Sequence, residues 1–232
     1  MESEVIEGVL LLDKPEGKTS FYLVHRLRKI TKVKKIGHAG TLDPFATGLM
    51  VLLIGKNFTR KSDLFLNNEK SYLTTLVLGH TTPSFDSETA QTFVSDKIPS
   101  LEEIQNVIGS FQGELLQTPP MFSAKKVDGT PLYELARKGI SIDRKPCKVT
   151  VSIEFISYNY PELSLKVTCS KGTYIRSLGH DIGIALGTGA YLSKLRRLSS
   201  GLFHLDQATP LSQIENNPFI LQDKLIKDLR CF

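Results

Sequence analysis

Apolar residues fall along this chain in two rhythms. Gly8-Val9-Leu10-Leu11-Leu12 and Leu49-Met50-Val51-Leu52-Leu53-Ile54 are short unbroken apolar runs, the pattern of buried strands. The stretch from Ser71 to Leu78 is rich in β-branched and apolar residues and predicts a third strand. Val149 to Tyr158 and Leu163 to Cys169 flank Pro161-Glu162 and predict a hairpin pair. Elsewhere the spacing is helical. Leu23, Leu27 and Ile30 mark one stripe of a helix that Thr19 or Ser20 caps and that runs to about Lys32. Ser100 and Glu103 form a capping box for a helix through about Ile108, and Tyr174 to Leu186 predicts a helix closed by Gly187. Strands, hairpins and helices mixed in this way predict an α+β fold rather than a doubly wound parallel sheet. Residues 118–146, rich in Pro, Lys and Gly, predict a long excursion from that sheet, and excursions of this length tend to be functional.

Composition narrows the classes. At 232 residues, 41% hydrophobic and 23% charged, the chain has the makeup of a soluble globular protein able to bury a sizeable core. Its longest apolar run falls short of a membrane span, and the acidic start, Met1-Glu2-Ser3-Glu4, is unlike a signal peptide. Three scattered cysteines (Cys147, Cys169, Cys231) match neither a disulfide framework nor a zinc pattern, and the five histidines lack metal-ligand spacing. A reducing cytoplasm and no metal are the expectations. The net charge of +5 is unevenly spread. Arg26, Arg28, Lys29, Lys32, Lys34 and Lys35 follow one another without an acid, seven Lys or Arg lie between Lys125 and Lys148, and Lys194, Arg196 and Arg197 form a third cluster. A charge run is commonly just a solvated face. Three of them beside the other notable segments favour an anionic partner, nucleic acid being the commonest.

The most informative chemistry is the loop Gly37-His38-Ala39-Gly40-Thr41-Leu42-Asp43-Pro44-Phe45-Ala46-Thr47-Gly48, in which Asp43 alone can become an anion. Glycines and a proline around one carboxylate, followed at once by a buried strand, suit a rigid loop that presents that carboxylate to a ligand. The plainer alternative is a tight turn in which Asp43 caps a neighbouring N–H. Four other segments invite the same weighing, and three have plain alternatives. Asp13 to Ser20 reads as a strand-to-helix turn, Tyr72 as a strand aromatic, and Pro119 to Lys125 as a linker. Cys169-Ser170-Lys171-Gly172-Thr173-Tyr174-Ile175-Arg176 sets Tyr174 and Arg176 at the mouth of a helix just after a strand, with Cys169 itself a packing residue.

Taken together and in this order, these segments resemble the TruB family of tRNA pseudouridine synthases. The match runs from Gly8-Val9-Leu10-Leu11-Leu12-Asp13-Lys14-Pro15 through the loop at 37–44, Lys70-x-Tyr72, the segment at 119–124, Gly129 to Gly139, and Cys169 to Arg176, to Leu195-Arg196-Arg197. The resemblance implies a catalytic domain over 1–204, built on a large, mainly antiparallel mixed sheet flanked by helices, with 118–146 contacting RNA. Residues 205–232 are expected to form a short tail in place of the terminal RNA-binding domain that many members carry. The implied reaction converts the T-loop uridine at position 55 of tRNA to pseudouridine, with an added tRNA-folding role in view.

Residue roles follow from the resemblance. Asp43 is the implied nucleophile or base, Arg176 its charge partner, and Tyr72 a stacking and proton-handling residue. Tyr174 and Leu195 wall the pocket, His38 fills the space left by the flipped-out base, and Lys14 and Pro15 support the Tyr72 side. Exchanging an N1 for a C5 glycosidic bond is an isomerisation without net redox change, so no cofactor is expected. The expected partner is the T-arm of tRNA, for a monomer that needs no protein partner and no membrane. Ala39, Phe122 and Thr82-Pro83-Ser84 depart from the family's usual residues, although Asp86 keeps its place. Two alternatives remain open: an RNA-binding or RNA-folding module with little chemistry, and a guide-RNA-directed relative.

Overall fold

The computed structural model describes residues 6–123, 125–127 and 129–228. The acidic start at 1–4, Ala124 and Cys231 lie outside these. Ten strands build the main sheet: β1 (Gly8–Lys14), β2 (Ile36–His38), β3 (Thr47–Ile54), β4 (Lys70–Leu78), β5 (Gly113–Gln117), β6 (Cys147–Asn159), β7 (Glu162–Cys169), β8 (Ala190–Ser200), β9 (Phe203–His204) and β10 (Thr209–Pro210). Their hydrogen-bonded order is β10-β1-β3-β8-β4-β7-β6-β5, with β2 also on β3 and β9 on β8. The three longest helices are α1 (Ser20–Thr31), α2 (Leu101–Ser110) and α3 (Ile175–Leu186). This is the α+β class that the mixed rhythms predict.

The chain forms two compact units, Met1–Tyr72 with Leu195–Phe232, and Leu73–Lys194. The first is organised by β1 and β3, which pair antiparallel from Gly8 opposite Ile54 to Lys14 opposite Gly48. Both strands are buried on both faces, which is why they read as unbroken apolar runs. One face packs Val9, Leu11, Leu49, Val51 and Leu53 with Ala39, Phe58, Phe65 and Phe203. Helix α1 starts where the Thr19 hydroxyl accepts the Tyr22 N–H, and it buries Leu23, Val24 and Leu27. The C-terminal residues belong to this unit. Strand β10 pairs parallel with β1, and Ile226 bridges Val9. Two short helices, Leu211–Asn216 and Leu221–Lys224, complete the described tail.

The second unit is built on the β6–β7 hairpin, paired from Val151 opposite Cys169 to Asn159 opposite Glu162, with β5 on the other edge of β6. Cys169 is buried in it as a packing residue. The Ser100–Glu103 capping box opens α2. Helix α3 packs through glycines. A Cβ on Gly179 would stand 2.4 Å from Leu192 and 2.6 Å from Leu76, and one on Gly183 would stand 2.3 Å from the Ala190 nitrogen. The described residues of the excursion at 118–146 carry local structure of their own. Lys126–Val127 and Thr130–Pro131 pair as a small ladder ahead of a short helix, Leu132–Arg137.

Candidate active site

In the first unit the chain leaves β2 at His38 and enters β3 at Thr47, and Asp43 sits on the connecting loop, partly exposed. Two fully buried cations hold that loop. The Lys14 ammonium, at the end of β1, donates to the carbonyls of Pro44 (3.0 Å), Ala46 (2.6 Å) and Pro15 (3.0 Å). The Arg197 guanidinium, on β8, donates to the carbonyls of Leu49 (2.6 Å) and Gly40 (3.2 Å) and touches the Met50 sulfur at 3.1 Å. Charged donors make stronger bonds than neutral ones, and more so away from water. The two cations flank Asp43, one gripping the loop just after it and the other at its two ends.

Local sterics reinforce this. Gly48 has φ of +101°, and a Cβ there would stand 2.4 Å from the Arg197 carbonyl oxygen. Strand β8 therefore approaches β3 at the register Arg197–Gly48 in a way that only glycine permits. The Ser20 hydroxyl at the start of α1 donates to the Leu42 carbonyl and accepts the Leu42 N–H, fixing the residue before Asp43. The Gly17 N–H reaches the Pro44 carbonyl at 2.9 Å.

These contacts correct one expectation. Arg197, grouped by sequence with the basic residues that meet RNA, is entirely buried and serves the loop instead. Lys14, expected to support the Tyr72 side of the cleft, donates its ammonium to carbonyls of the Asp43 loop. Arg196, one residue along the strand, points the other way and pairs with Asp13 at 2.7 Å and with the Thr47 hydroxyl at 3.2 Å. Period-two alternation after the apolar Leu195 already requires Arg196 and Arg197 to face opposite sides. That was the signal for the buried one.

His38 is half-buried, and burial first and Arg197 second push its pKa below the ordinary value, so its imidazole is neutral at neutral pH. Its Nδ1 is buried without a hydrogen-bond partner among the described residues. Tyr72 on β4 and Leu195 on β8 also belong to this unit, each 7% exposed. Lys70, two residues before Tyr72, is tied by its ammonium to the carbonyls of Leu66 and Asn68.

Tyr174 and Arg176 belong to the second unit. Tyr174 caps α3, and the Gln117 side-chain amide grips its backbone twice, accepting its N–H at 2.7 Å and donating to its carbonyl at 3.0 Å. Arg176 lies in the first turn of α3, 5% exposed. It donates to the carbonyls of Ser84 (2.9 Å) and Phe122 (2.7 Å) and pairs with Asp86 at 3.4 Å. Asp86 is itself 1% exposed and accepts from the Ser84 hydroxyl and the Glu88 N–H. Sequence reading noted that Asp86 keeps its place but gave it no task, and it missed Gln117 altogether. Among the described residues no group of three His, Cys, Asp or Glu is placed to hold a metal, and no helix is long and apolar enough to cross a membrane.

Comparison with known proteins supplies the family. A model described as "TruB family pseudouridylate synthase (N terminal domain)" matches residues 28–175, and one described as "tRNA pseudouridylate synthase B C-terminal domain" matches 176–231. The chain is similar to the tRNA pseudouridine synthase B of Chlamydia abortus, 56% identical over 89% of this chain and 88% of that protein. It is similar to that of Protochlamydia amoebophila at 51% over 96% and 85%. Among solved structures, a crystal structure of a Cbf5-Nop10-Gar1 complex aligns with a TM-score of 0.73 at 30% identity, covering 93% of this chain and 56% of that one. With family models spanning 28–231 and relatives at more than half identity over most of its length, the chain belongs to the TruB family of pseudouridylate synthases.

Proposed function

We propose that the protein isomerises the T-loop uridine at position 55 of tRNA to pseudouridine, with Asp43 as the reacting carboxylate. The observation that carries this reading is the Asp43 loop in a chain of this family. A lone acid is held on a loop whose carbonyls are fixed by two buried cations, Lys14 and Arg197. Preorganisation of that kind is useful where a group must meet a reacting centre in one geometry. In the reaction the N1–C1′ bond breaks, the C5–C1′ bond forms, and the proton on C5 ends on N1. Atoms and electrons balance within the substrate.

Asp43 serves as nucleophile or base, Arg176 as the cation that keeps a carboxylate ionised, and Tyr72 as the ring under the uracil whose hydroxyl handles the C5 proton. Tyr174 and Leu195 line the base pocket, and neutral His38 takes the place of the flipped-out base. Lys14 and Pro15 support the Tyr72 side of the cleft, and Lys14 also holds the loop. The catalytic domain is read as 1–204, with 118–146 meeting RNA and 205–232 as its tail. A cytoplasmic monomer acting on the T-arm without cofactor or protein partner completes the reading, and a tRNA-folding role is compatible with it. Identity of 56% to a tRNA enzyme against 30% to the Cbf5 complex favours direct action on tRNA over guide-directed action.

The test is to incubate purified protein with unmodified tRNA and map pseudouridine along it. Modification confined to the T-loop uridine is the expected result. Modification elsewhere, or only with an added guide RNA, would overturn the reading.

A further inference from the structure

Within the second unit a cavity of about 340 Å³ opens beside α3, lined by Phe85, Leu116, Thr118, Pro119, Pro120, Arg144, Ser177, His180 and Asp181. None of these residues acts in the proposed chemistry, although Thr118, Pro119, Pro120 and Arg144 belong to the 118–146 excursion read as meeting RNA. Ser177, His180 and Asp181 are spaced three and four apart, so α3 presents one face to the cavity. The Phe85 and His180 rings stack at 3.8 Å and 14°. Phe85 holds a φ of +62°, uncommon for a bulky residue, and both its backbone groups are engaged: its N–H with the Thr82 carbonyl and its carbonyl with the Leu192 N–H. Unlike Lys32, the other described non-glycine residue with positive φ, Phe85 does not cap a helix. Left-handed backbone at such a residue is typical of ligand sites, where surrounding contacts enforce it.

The polar lining is equally specific. Arg144 is tied at the rim by a bond from its guanidinium to the Pro119 carbonyl, and its Nε and the His180 Nδ1 are buried without hydrogen-bond partners among the described residues. Burial pushes the His180 pKa down and the Asp181 pKa up. Leu116 stands 72% exposed at the edge. The cavity thus combines a flat aromatic pair, apolar proline walls, several donors and acceptors, one cation, Arg144, and one acid, Asp181, whose carboxyl burial biases toward the neutral form.

We propose that this cavity binds a second, non-target nucleotide of the RNA substrate, its base against the Phe85–His180 pair and its phosphate toward Arg144. The chemistry is that of single-stranded RNA recognition, in which unstacked bases lie on aromatic rings and arginine meets the phosphate. The same turn that carries Phe85 supplies the Ser84 carbonyl and Asp86 to Arg176, so occupancy of the cavity bears directly on the support of Arg176. The proposal rests on the reading of the protein as a tRNA-modifying enzyme.

The experiment measures binding of T-arm stem-loops, each with one non-target loop nucleotide made abasic, to wild type, His180→Leu and Arg144→Met. One abasic position is expected to weaken binding to wild type about 10-fold or more, as loss of a stacked base does, and to have little further effect on His180→Leu. Arg144→Met is expected to lower the salt slope of binding by about one and keeps the test alive if His180→Leu fails to fold. Equal penalties for all three proteins at every position, with an unchanged salt slope, would overturn the pocket. Pseudouridine formation by wild type on the intact stem-loop, run alongside, separates the two readings: if it is present without coupling, only the pocket fails, and if T-arm RNA is neither bound nor modified, both fail.

Discussion

The Asp43 loop and the Arg176 turn solve opposite problems with the same materials. Around Asp43, two buried cations hold backbone carbonyls so that a carboxylate is presented. Around Arg176, two backbone carbonyls and the buried Asp86 hold a cation. The loop is therefore positioned by fully buried charges acting on its backbone, whereas Arg176 is positioned by groups contacting its own guanidinium. Damage to the first should act through geometry. Damage to the second should act on the charged group itself.

The largest effects should come from the loop's supports. Lys14→Met removes three charge-assisted bonds and leaves their carbonyls buried, an expected cost of about 3–5 kcal/mol. Gly48→Ala forces a Cβ to within 2.4 Å of the Arg197 carbonyl and should be at least as damaging. Chemical denaturation measures both, and a loss under about 1 kcal/mol in either would show that the loop does not depend on these supports.

Next comes the Arg176 side. Asp86→Asn leaves the buried guanidinium its Ser84 and Phe122 carbonyl acceptors but removes the Asp86 charge. About 3 kcal/mol of stability should go, the lower end for a broken buried pair, because the carbonyls remain. Stability equal to wild type would mean that the Asp86 charge is not needed to hold Arg176.

Tyr72→Phe keeps the ring and removes only the hydroxyl, and so bears on the chemical step. Loss of a hydroxyl that moves a proton should slow single-turnover conversion by about 10²-fold while binding holds. An unchanged rate would reduce Tyr72 to a packing residue.

The smallest effect is electrostatic. The folded-state pKa values of His38 and His180 lie below the unfolded value, so the unfolded chain takes up protons first as pH falls. Their contribution is level above about pH 6.5 and turns destabilising below it. Denaturation midpoints between pH 8 and 5 should fall on the acid side, with a shallower fall in His38→Gln. Equal slopes for variant and wild type would contradict the assignment.

What was legible in the sequence is what short-range physics writes. The unbroken apolar runs of β1 and β3, the capping residues Thr19 and Ser100 and the closing Gly187 each state their element within a few residues. The ladder at 126–131 and the strand Thr209–Pro210 are only two residues wide on each side, too short to show a period. The loop of Asp43 was visible as a composition, but its supports were not. Lys14 and Arg197 lie about 30 and 150 positions from the carbonyls they bind, and charged residues are read by default as surface. The Arg176–Asp86 pair spans a similar gulf in the chain. Only Arg197 carried a local hint, in the alternation of its strand.

The central claim is that Asp43 is the reacting group, and its most direct test is single-turnover conversion of a T-arm substrate by Asp43→Asn, with binding measured in parallel. The amide is nearly isosteric, and phosphate contacts dominate RNA affinity, so binding should stay within a few-fold of wild type. Conversion should fall by several orders of magnitude, about 10³-fold or more, as expected on losing an essential nucleophile. Appreciable pseudouridine formation by the folded, RNA-binding variant would contradict the account.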